Sequence, residues 1–350
     1  MRLFPLLLRT LLLLSASGLL TGLVLMACAK PAMQKSGTPA QSARLKSDSA
    51  VMADGFSLPL AFWAPETAPA RAVVLALHGF NDYHAAFTEL GGRLAEDGIL
   101  TYAYDQRGFG ATEGRGIWPG VDTLVDDARA MLTLLHERHP HLPLYILGKS
   151  MGGAVAINAV TRAPAPPVQG TLLVAPAVWA RQTMPWYQRI ALGIGSRLAP
   201  GYKVTGKGLG IRPSDNVDML RALGRDPMVI KETRIDAVDG LGNLMDAALA
   251  AVPRLSSNTL ILYGEKDQII PHRPTCRMLD ILPNGPDTEL RFVLYPDGYH
   301  MLTRDLQRAV VHADISAWLL SPNGVLPSKL QTEPRTAVQR LCGRPRRTDI

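Results

Sequence analysis

The sequence predicts an α/β protein built around a mostly parallel sheet, and three observations carry that prediction. From Asp48 onward, short β-branched or apolar runs alternate with longer amphipathic ones, the pattern of strands joined by crossover helices. The apolar run at 144–147 leads through Gly148-Lys149-Ser150-Met151-Gly152 directly into a helical stretch, a strand-turn-helix junction. At 350 residues and 47% hydrophobic content, the chain can bury the core of one such domain and carry appendages.

The elements follow in order. Residues 51–56 and 60–64 read as an opening hairpin, and 72–77 (Ala-Val-Val-Leu-Ala-Leu) and 99–104 (Ile-Leu-Thr-Tyr-Ala-Tyr) as the next two strands. Runs at 144–147, 171–174, 259–263 and 290–294 bring the set to eight strands. Helical segments are expected near 84–97, 121–138, 151–162, 273–282 and 304–320. The alternation breaks once, over residues 177–252, so a helical cap is expected there after the sixth strand, between core segments 49–176 and 253–322. Within it Tyr187, Ile190, Ala191, Ile194 and Leu198 fall at helical spacing on one face, with Met184 and Trp186 at the start. Two readings of this stripe stand open: packing onto the core, or a lid whose apolar face lines an acyl-chain pocket or dips into lipid.

Residues 1–27 combine Arg2 and Arg9 with a leucine-rich stretch, as an export signal does. Leu25-Met26-Ala27-Cys28 resembles the lipobox of bacterial lipoprotein signal peptides, which makes Cys28 the expected lipidation site. The expected location is then the bacterial cell envelope outside the cytoplasm, on the periplasmic side in a diderm host. An uncleaved transmembrane anchor and an ordinary secretory leader are the competing readings. Residues 28–48 are polar and small, so a flexible tether is expected, and the Pro- and Arg-rich stretch 323–350 reads as a basic, disordered tail. The formal charge of +7 sits mostly at the ends: two charges in the leader and +3 from Glu333 onward leave the body at +2. A near-neutral body argues against a nucleic-acid groove. Beyond Cys28, only Cys276 and Cys342 occur, too few for a disulfide framework and without metal-ligand spacing, leaving open one bridge between them.

Ser150 carries the chemistry. In a G-x-S-x-G elbow the apex residue is forced into a strained backbone conformation, and flanking glycines avoid the clashes that result. A serine hydroxyl needs a base to take its proton and a carboxylate to hold that base. Asp267 and His300 stand in turns after the strands at 259–263 and 290–294, the places such partners require. Glu265 and Asp297 are the rival acids. The oxyanion formed by attack needs donors, for which the amides of Met151 and Phe80 are best placed. His136, His139 and His141 read as a solvated helix cap, and His84 and His272 are weaker candidates for the pocket border. No metal and no cofactor is implied.

Four motifs in order carry a family resemblance: His78-Gly79-Phe80, the run Asp105 to Gly114, Gly148 to Gly153, and Arg225-Asp226-Pro227, followed by the Asp267 and His300 loops. Together they resemble the monoacylglycerol lipase and lysophospholipase branch of the serine-aminopeptidase-like α/β-hydrolases, over about Asp54 to Leu319. The resemblance implies an α/β-hydrolase fold with an eight-stranded, mostly parallel sheet flanked by helices and a cap after the sixth strand. It also implies Ser150, Asp267 and His300 as the triad, with Phe80 and Met151 as oxyanion donors. The expected activity is hydrolysis of a lipid or other small carboxylic ester, with membrane contact through Cys28. A small-ester, aryl-ester or peptide substrate is the alternative, and a non-catalytic binding lipoprotein a more distant one. Lys149 stands where many members carry His. An anionic headgroup or an acid behind the sheet would each account for it, and the acid is preferred.

Overall fold

A computed structural model describes residues 30–34, 36–256, 258–283 and 290–343. Cys28 and the rest of the leader lie outside the described residues. The strands in chain order are β1 (Arg44–Leu45), β2 (Ser49–Val51), β3 (Ser57–Trp63), β4 (Ala72–Leu77), β5 (Ile99–Tyr104), β6 (Leu144–Lys149), β7 (Gly170–Val174), β8 (Lys203–Val204), β9 (Thr233–Arg234), β10 (Thr259–Gly264) and β11 (Arg291–Tyr295). The helices are α1 (Thr88–Glu96), α2 (Val121–Arg138), α3 (Met151–Thr161), α4 (Trp186–Leu198), α5 (Val217–Arg225), α6 (Ile235–Ala251), α7 (His272–Asp280), α8 (Arg308–Leu320) and α9 (Pro334–Cys342).

One sheet runs in the order β1-β2-β3-β5-β4-β6-β7-β10-β11, with β8 and β9 paired apart from it. Its six strands from β5 to β11 in that order are parallel, and β3 joins them antiparallel through β5. Because crossover helices cover both faces, the central strands are apolar at every position: all six residues of β4 are buried. Val73, Leu75 and Leu77 pack toward α2, α3 and α6, whereas Ala72, Val74 and Ala76 pack toward Leu90 and Leu94 of α1 and Trp318 of α8. The period-2 alternation of side chains along β4 thus serves two cores at once.

Three expectations change. The opening hairpin turns over residues that were expected to be its first strand: Asp54 Oδ1 accepts the Phe56 N–H at 3.1 Å and Gly55 has φ +84°. Asp-Gly turn chemistry outweighs the apolar run before it. The expected tether, in its described part, lies along the domain. Ala32 N–H donates to Asp236 Oδ2 at 2.9 Å, Gln34 N–H to Trp118 O at 2.9 Å, and Arg44–Leu45 adds a ninth strand beside β2. Small polar residues have little to bury, so they adhere through backbone hydrogen bonds, which composition does not reveal.

The tail, expected to be disordered, is ordered to residue 343, and residues 344–350 lie outside the described residues. Leu326 and Ala337 are buried, Thr332 N–H donates to Phe292 O at 2.9 Å along the β11 edge, and Arg340 forks onto Glu265. Cys276 of α7 and Cys342 of α9 form a disulfide across 66 residues. Arg340, expected in a solvated tail, is an ion-pair partner instead. A cross-link of that span constrains the unfolded chain, so Cys342→Ser is expected to lower stability by about 2–4 kcal/mol, measured by denaturant unfolding under oxidising conditions.

Candidate active site

Strand register delivers the loops to one place. Leu77 at the end of β4 pairs with Gly148, Lys149 with Val174, and Gly264 with Tyr295, so the connections after β4, β6, β7, β10 and β11 all leave at the carboxyl edge of the parallel strands. Between β6 and α3, Ser150 has φ 52° and ψ −116°, a conformation that side-chain-bearing residues avoid. Its neighbours explain how the turn survives. A Cβ at Gly148 would stand 2.4 Å from Gly152 O, and one at Gly152 would stand 2.1 Å from Leu77 O. Backbone therefore touches backbone on both sides of the serine, and any side chain there would push the elbow off the sheet.

Ser150 Oγ lies 2.9 Å from His300 Nε2, and His300 Nδ1 lies 2.8 Å from Asp267 Oδ2. A carboxylate can only accept, so Nδ1 carries the proton and Nε2 is left to accept from the serine hydroxyl. The other Asp267 oxygen accepts the N–H groups of Ile269 at 2.8 Å and Ile270 at 3.0 Å, which fixes the carboxylate plane. All three side chains are buried. The loops that carry Asp267 and His300 touch through glycines, since a Cβ at Gly264 would stand 2.4 Å from Gly298 O. Neither rival acid reaches the imidazole: Glu265 pairs with Arg340 and Asp297 with Lys266.

The loop after β4 passes over the serine, and a Cβ at Gly79 would stand 3.9 Å from Ser150 Oγ. Its peptide orientation is set from beneath. Gln106 N–H donates to His78 Nε2 at 3.0 Å, so His78 Nδ1 carries the proton and donates to Gly79 O at 2.8 Å. Burial pushes the His78 pKa down, in keeping with a neutral ring. With the Gly79 carbonyl held by His78, the Phe80 N–H on the far side of that planar peptide points away from the ring. Neither Phe80 N–H nor Met151 N–H has a protein acceptor among the described residues.

A cavity of about 640 Å³ opens beside Ser150 and His300, walled mainly by apolar side chains of the cap, among them Met184, Leu192, Val238, Leu241 and Met245. Helix α4 contributes Gln188, Ala191 and Leu192 to this wall. The expected stripe is therefore rotated. Of its members only Met184 and Ala191 line the cavity, while Trp186, Tyr187, Ile190 and Ile194 stand outward, each more than half exposed. The inward face contains Gln188, and Gly195 packs on Ile235, so the more apolar side of the helix is not its core side. Neither His84, bonded to Asp105, nor His272, bonded to Glu265 O and Leu341 O, lines the cavity.

Fold and site together define a class, the α/β-hydrolases that work through a serine. Within it the chain belongs to the serine aminopeptidase family: residues 68–307 match the family model described as "Serine aminopeptidase, S33". A relative from Mycolicibacterium smegmatis, a monoacylglycerol lipase, is 30% identical over 275 residues, 74% of this chain and 91% of that one. The monoglyceride lipase of Homo sapiens is 25% identical over 280 residues, 77% of this chain and 88% of its own length. The structure of a soluble variant of the Saccharomyces cerevisiae monoglyceride lipase, in complex with a substrate analog, is similar in fold. It has a TM-score of 0.66 at 21% identity, covering 83% of this chain and 98% of that one. The expected fold is the fold found, with one further edge strand.

One end of the cavity is charged, a feature that no local motif announces. Lys149, buried, lies 3.9 Å from Asp82 Oδ2, and Asp82 is also held by Arg304. The acid partner of Lys149 is thus in the cavity wall, on the loop after β4, and not behind the sheet. Arg304, four residues beyond His300, belongs to no recognisable motif. Burial raises the Asp82 carboxyl, but Arg304 and Lys149 outweigh this and hold it below its ordinary value. Burial, reinforced by Arg304, pushes the Lys149 amine down to about 7 against the pull of Asp82 and Asp305. Between about pH 7 and the ordinary 10.5, the unfolded chain binds a proton here that the folded protein sheds, so stability contributed at this site rises with pH. Lys149→Met is expected to stabilise the protein near pH 7, with the advantage shrinking by on the order of 3 kcal/mol toward pH 9.5. Unfolding midpoints of both proteins across that range check this, and a constant difference would mean the amine stays charged.

Proposed function

We propose that the protein hydrolyses carboxylic esters of single-chain lipids, monoacylglycerols or lysophospholipids, through an acyl-enzyme on Ser150. The observation that carries this reading is the hydrogen-bonded chain Ser150–His300–Asp267 at the wall of a deep apolar cavity. The cavity lies within the range of small-molecule sites, and its mainly apolar walls suit a hydrocarbon chain better than a polar peptide. The names of the relatives point the same way.

In this mechanism Ser150 Oγ attacks the ester carbon while His300 Nε2 takes the hydroxyl proton, and Asp267 stabilises the imidazolium. The negative charge on the former carbonyl oxygen is met by the Phe80 and Met151 N–H groups, the latter at the start of α3. Collapse expels the alcohol, which takes the proton from His300. Water, deprotonated by the same imidazole, then attacks the acyl-enzyme and releases the fatty acid, restoring Ser150. Every step uses groups of the chain and water alone.

We further propose that Cys28 is lipidated and anchors the enzyme in the bacterial cell envelope, outside the cytoplasm. The leader composition supports this, and so does the Cys276–Cys342 disulfide, because such bonds persist in oxidising compartments.

Ser150→Ala is expected to lower turnover of a medium- or long-chain monoacylglycerol by at least about a thousandfold. Wild-type rates should rise with acyl length, and turnover confined to the shortest esters would favour a small-ester or peptide substrate instead. Radiolabelled palmitate fed to cells should enter the wild-type protein and not Cys28→Ser. Equal labelling of both would remove the anchor.

A further inference from the structure

Among the described residues, the charged side chains on the cavity wall, His300 aside, are Asp82 and Lys149, and they do not satisfy one another. Their 3.9 Å separation is beyond hydrogen-bond reach. Asp82 is already occupied: Oδ2 accepts from Arg304 Nη2, and Oδ1 accepts the Tyr83 N–H at 3.1 Å. Asp305, the other acid that acts on the Lys149 amine, is occupied as well, with Oδ1 accepting from Ser214 Oγ at 2.5 Å and Oδ2 from the Tyr299 N–H at 2.8 Å.

Lys149 is only 2% exposed, and none of its ammonium donors has an acceptor among the described residues. Arg304 Nε is a further buried donor without a partner. Buried polar groups are nearly always hydrogen-bonded, and a buried cation is costly unless it is paired. This end of the cavity is therefore rich in donors and short of acceptors. A glycerol hydroxyl would bring a donor of its own into such a place, whereas an anionic oxygen only accepts and forms the stronger, charge-assisted bond with an ammonium.

The position of this end decides which part of a substrate meets it. Lys149 is joined to Ser150, Asp82 stands two residues after Phe80, and Arg304 four after His300. The leaving alcohol takes its proton from His300 and so emerges beside that loop, while the acyl chain has the apolar wall of Met184, Leu192, Val238 and Leu241.

We propose that Lys149, backed by Arg304, receives a phosphate carried on the leaving alcohol, so that the preferred substrate is a lysophospholipid and not a neutral monoacylglycerol. The inference deepens the Ser150 ester hydrolysis and rests on it. Asp82, neutralised by Arg304, does not oppose the phosphate, and the anion draws back onto Lys149 the proton that burial and Arg304 disfavour. The bonds made and broken stay those of the acyl-enzyme cycle, and the alcohol released is a glycerol phosphate.

The test compares two substrates with the same acyl chain, monodecanoylglycerol and monodecanoylglycerol phosphate, on the full-length protein in one neutral detergent near neutral pH. Wild-type kcat/KM is expected to favour the phosphate ester at least about tenfold, and Lys149→Met to lower that ratio at least about tenfold, mainly through KM. Because the ratio cancels any general loss of activity, and the substitution is expected to stabilise the fold near neutral pH, misfolding does not mimic the result. Glycerol phosphate should inhibit the wild type competitively and the variant at least about tenfold more weakly. A wild-type ratio near one, or a ratio that Lys149→Met leaves unmoved, overturns the headgroup assignment and leaves ester hydrolysis standing. Inhibition by inorganic phosphate as strong as by glycerol phosphate, without a substrate preference, makes this a site for free phosphate and overturns the assignment as well. Failure to hydrolyse either ester in a Ser150-dependent way overturns lipid-ester hydrolysis itself, and the headgroup assignment falls with it.

Discussion

A backbone oxygen, that of Leu77, occupies the space where a side chain on residue 152 would be. That single close approach ties the end of β4 to the first turn of α3, and the geometry of the site depends on it. With Gly152 against Leu77 O, the helix starts directly behind the serine, Ser150 has no relaxed backbone conformation to adopt, and the loop from His78 must pass over its hydroxyl. Strain of this kind persists only where the surroundings over-determine it. Here the surroundings are two fully buried strands and the hydrogen bond from Ser150 N–H to Val174 O.

Beneath the loop after β4 lies a layer of buried polar groups that does not line the cavity beside Ser150. Arg107 is bidentate on Asp54 at 2.6 and 2.9 Å and on Asp127 at 2.7 and 3.0 Å, joining the β2–β3 turn to α2. Burial raises the Asp127 carboxyl to about 6 even against the guanidinium. The adjacent Gln106 receives this rigidity and passes it to His78 through two hydrogen bonds, one from its N–H and one from its side chain to His78 O at 2.8 Å. Asp105 completes the layer by accepting from the Ala111 and His84 backbones. The run Asp105 to Gly114, which carries much of the family resemblance, is thus a foundation for a loop and contributes no reacting group.

Strands buried on both faces were legible because nothing in them competes with the apolar signal, and the serine, aspartate and histidine were legible because each follows such a strand. What escaped the sequence depended on contacts between distant segments. Gly264 and Gly298 let two loops touch, a role that no local pattern announces. In the terminal segments composition measures the capacity to bury apolar surface and is blind to Ala32 meeting Asp236 or Arg340 meeting Glu265. Of the two readings of the α4 stripe, packing onto the core fails for Trp186, Tyr187, Ile190 and Ile194, which stand exposed, and only Met184 and Ala191 line the cavity.

The clamp made by α9 has a reach beyond its own stability. Its disulfide holds α7, Arg340 grips Glu265, and Leu341 O meets the His272 ring that also binds Glu265 O, two residues before the carboxylate that faces His300. The ionic and dipolar contacts fall on the loop itself, and the covalent one on the helix that follows it. Cutting the chain before residue 334 would consequently be felt less as a missing piece of surface than as slack in the aim of Asp267.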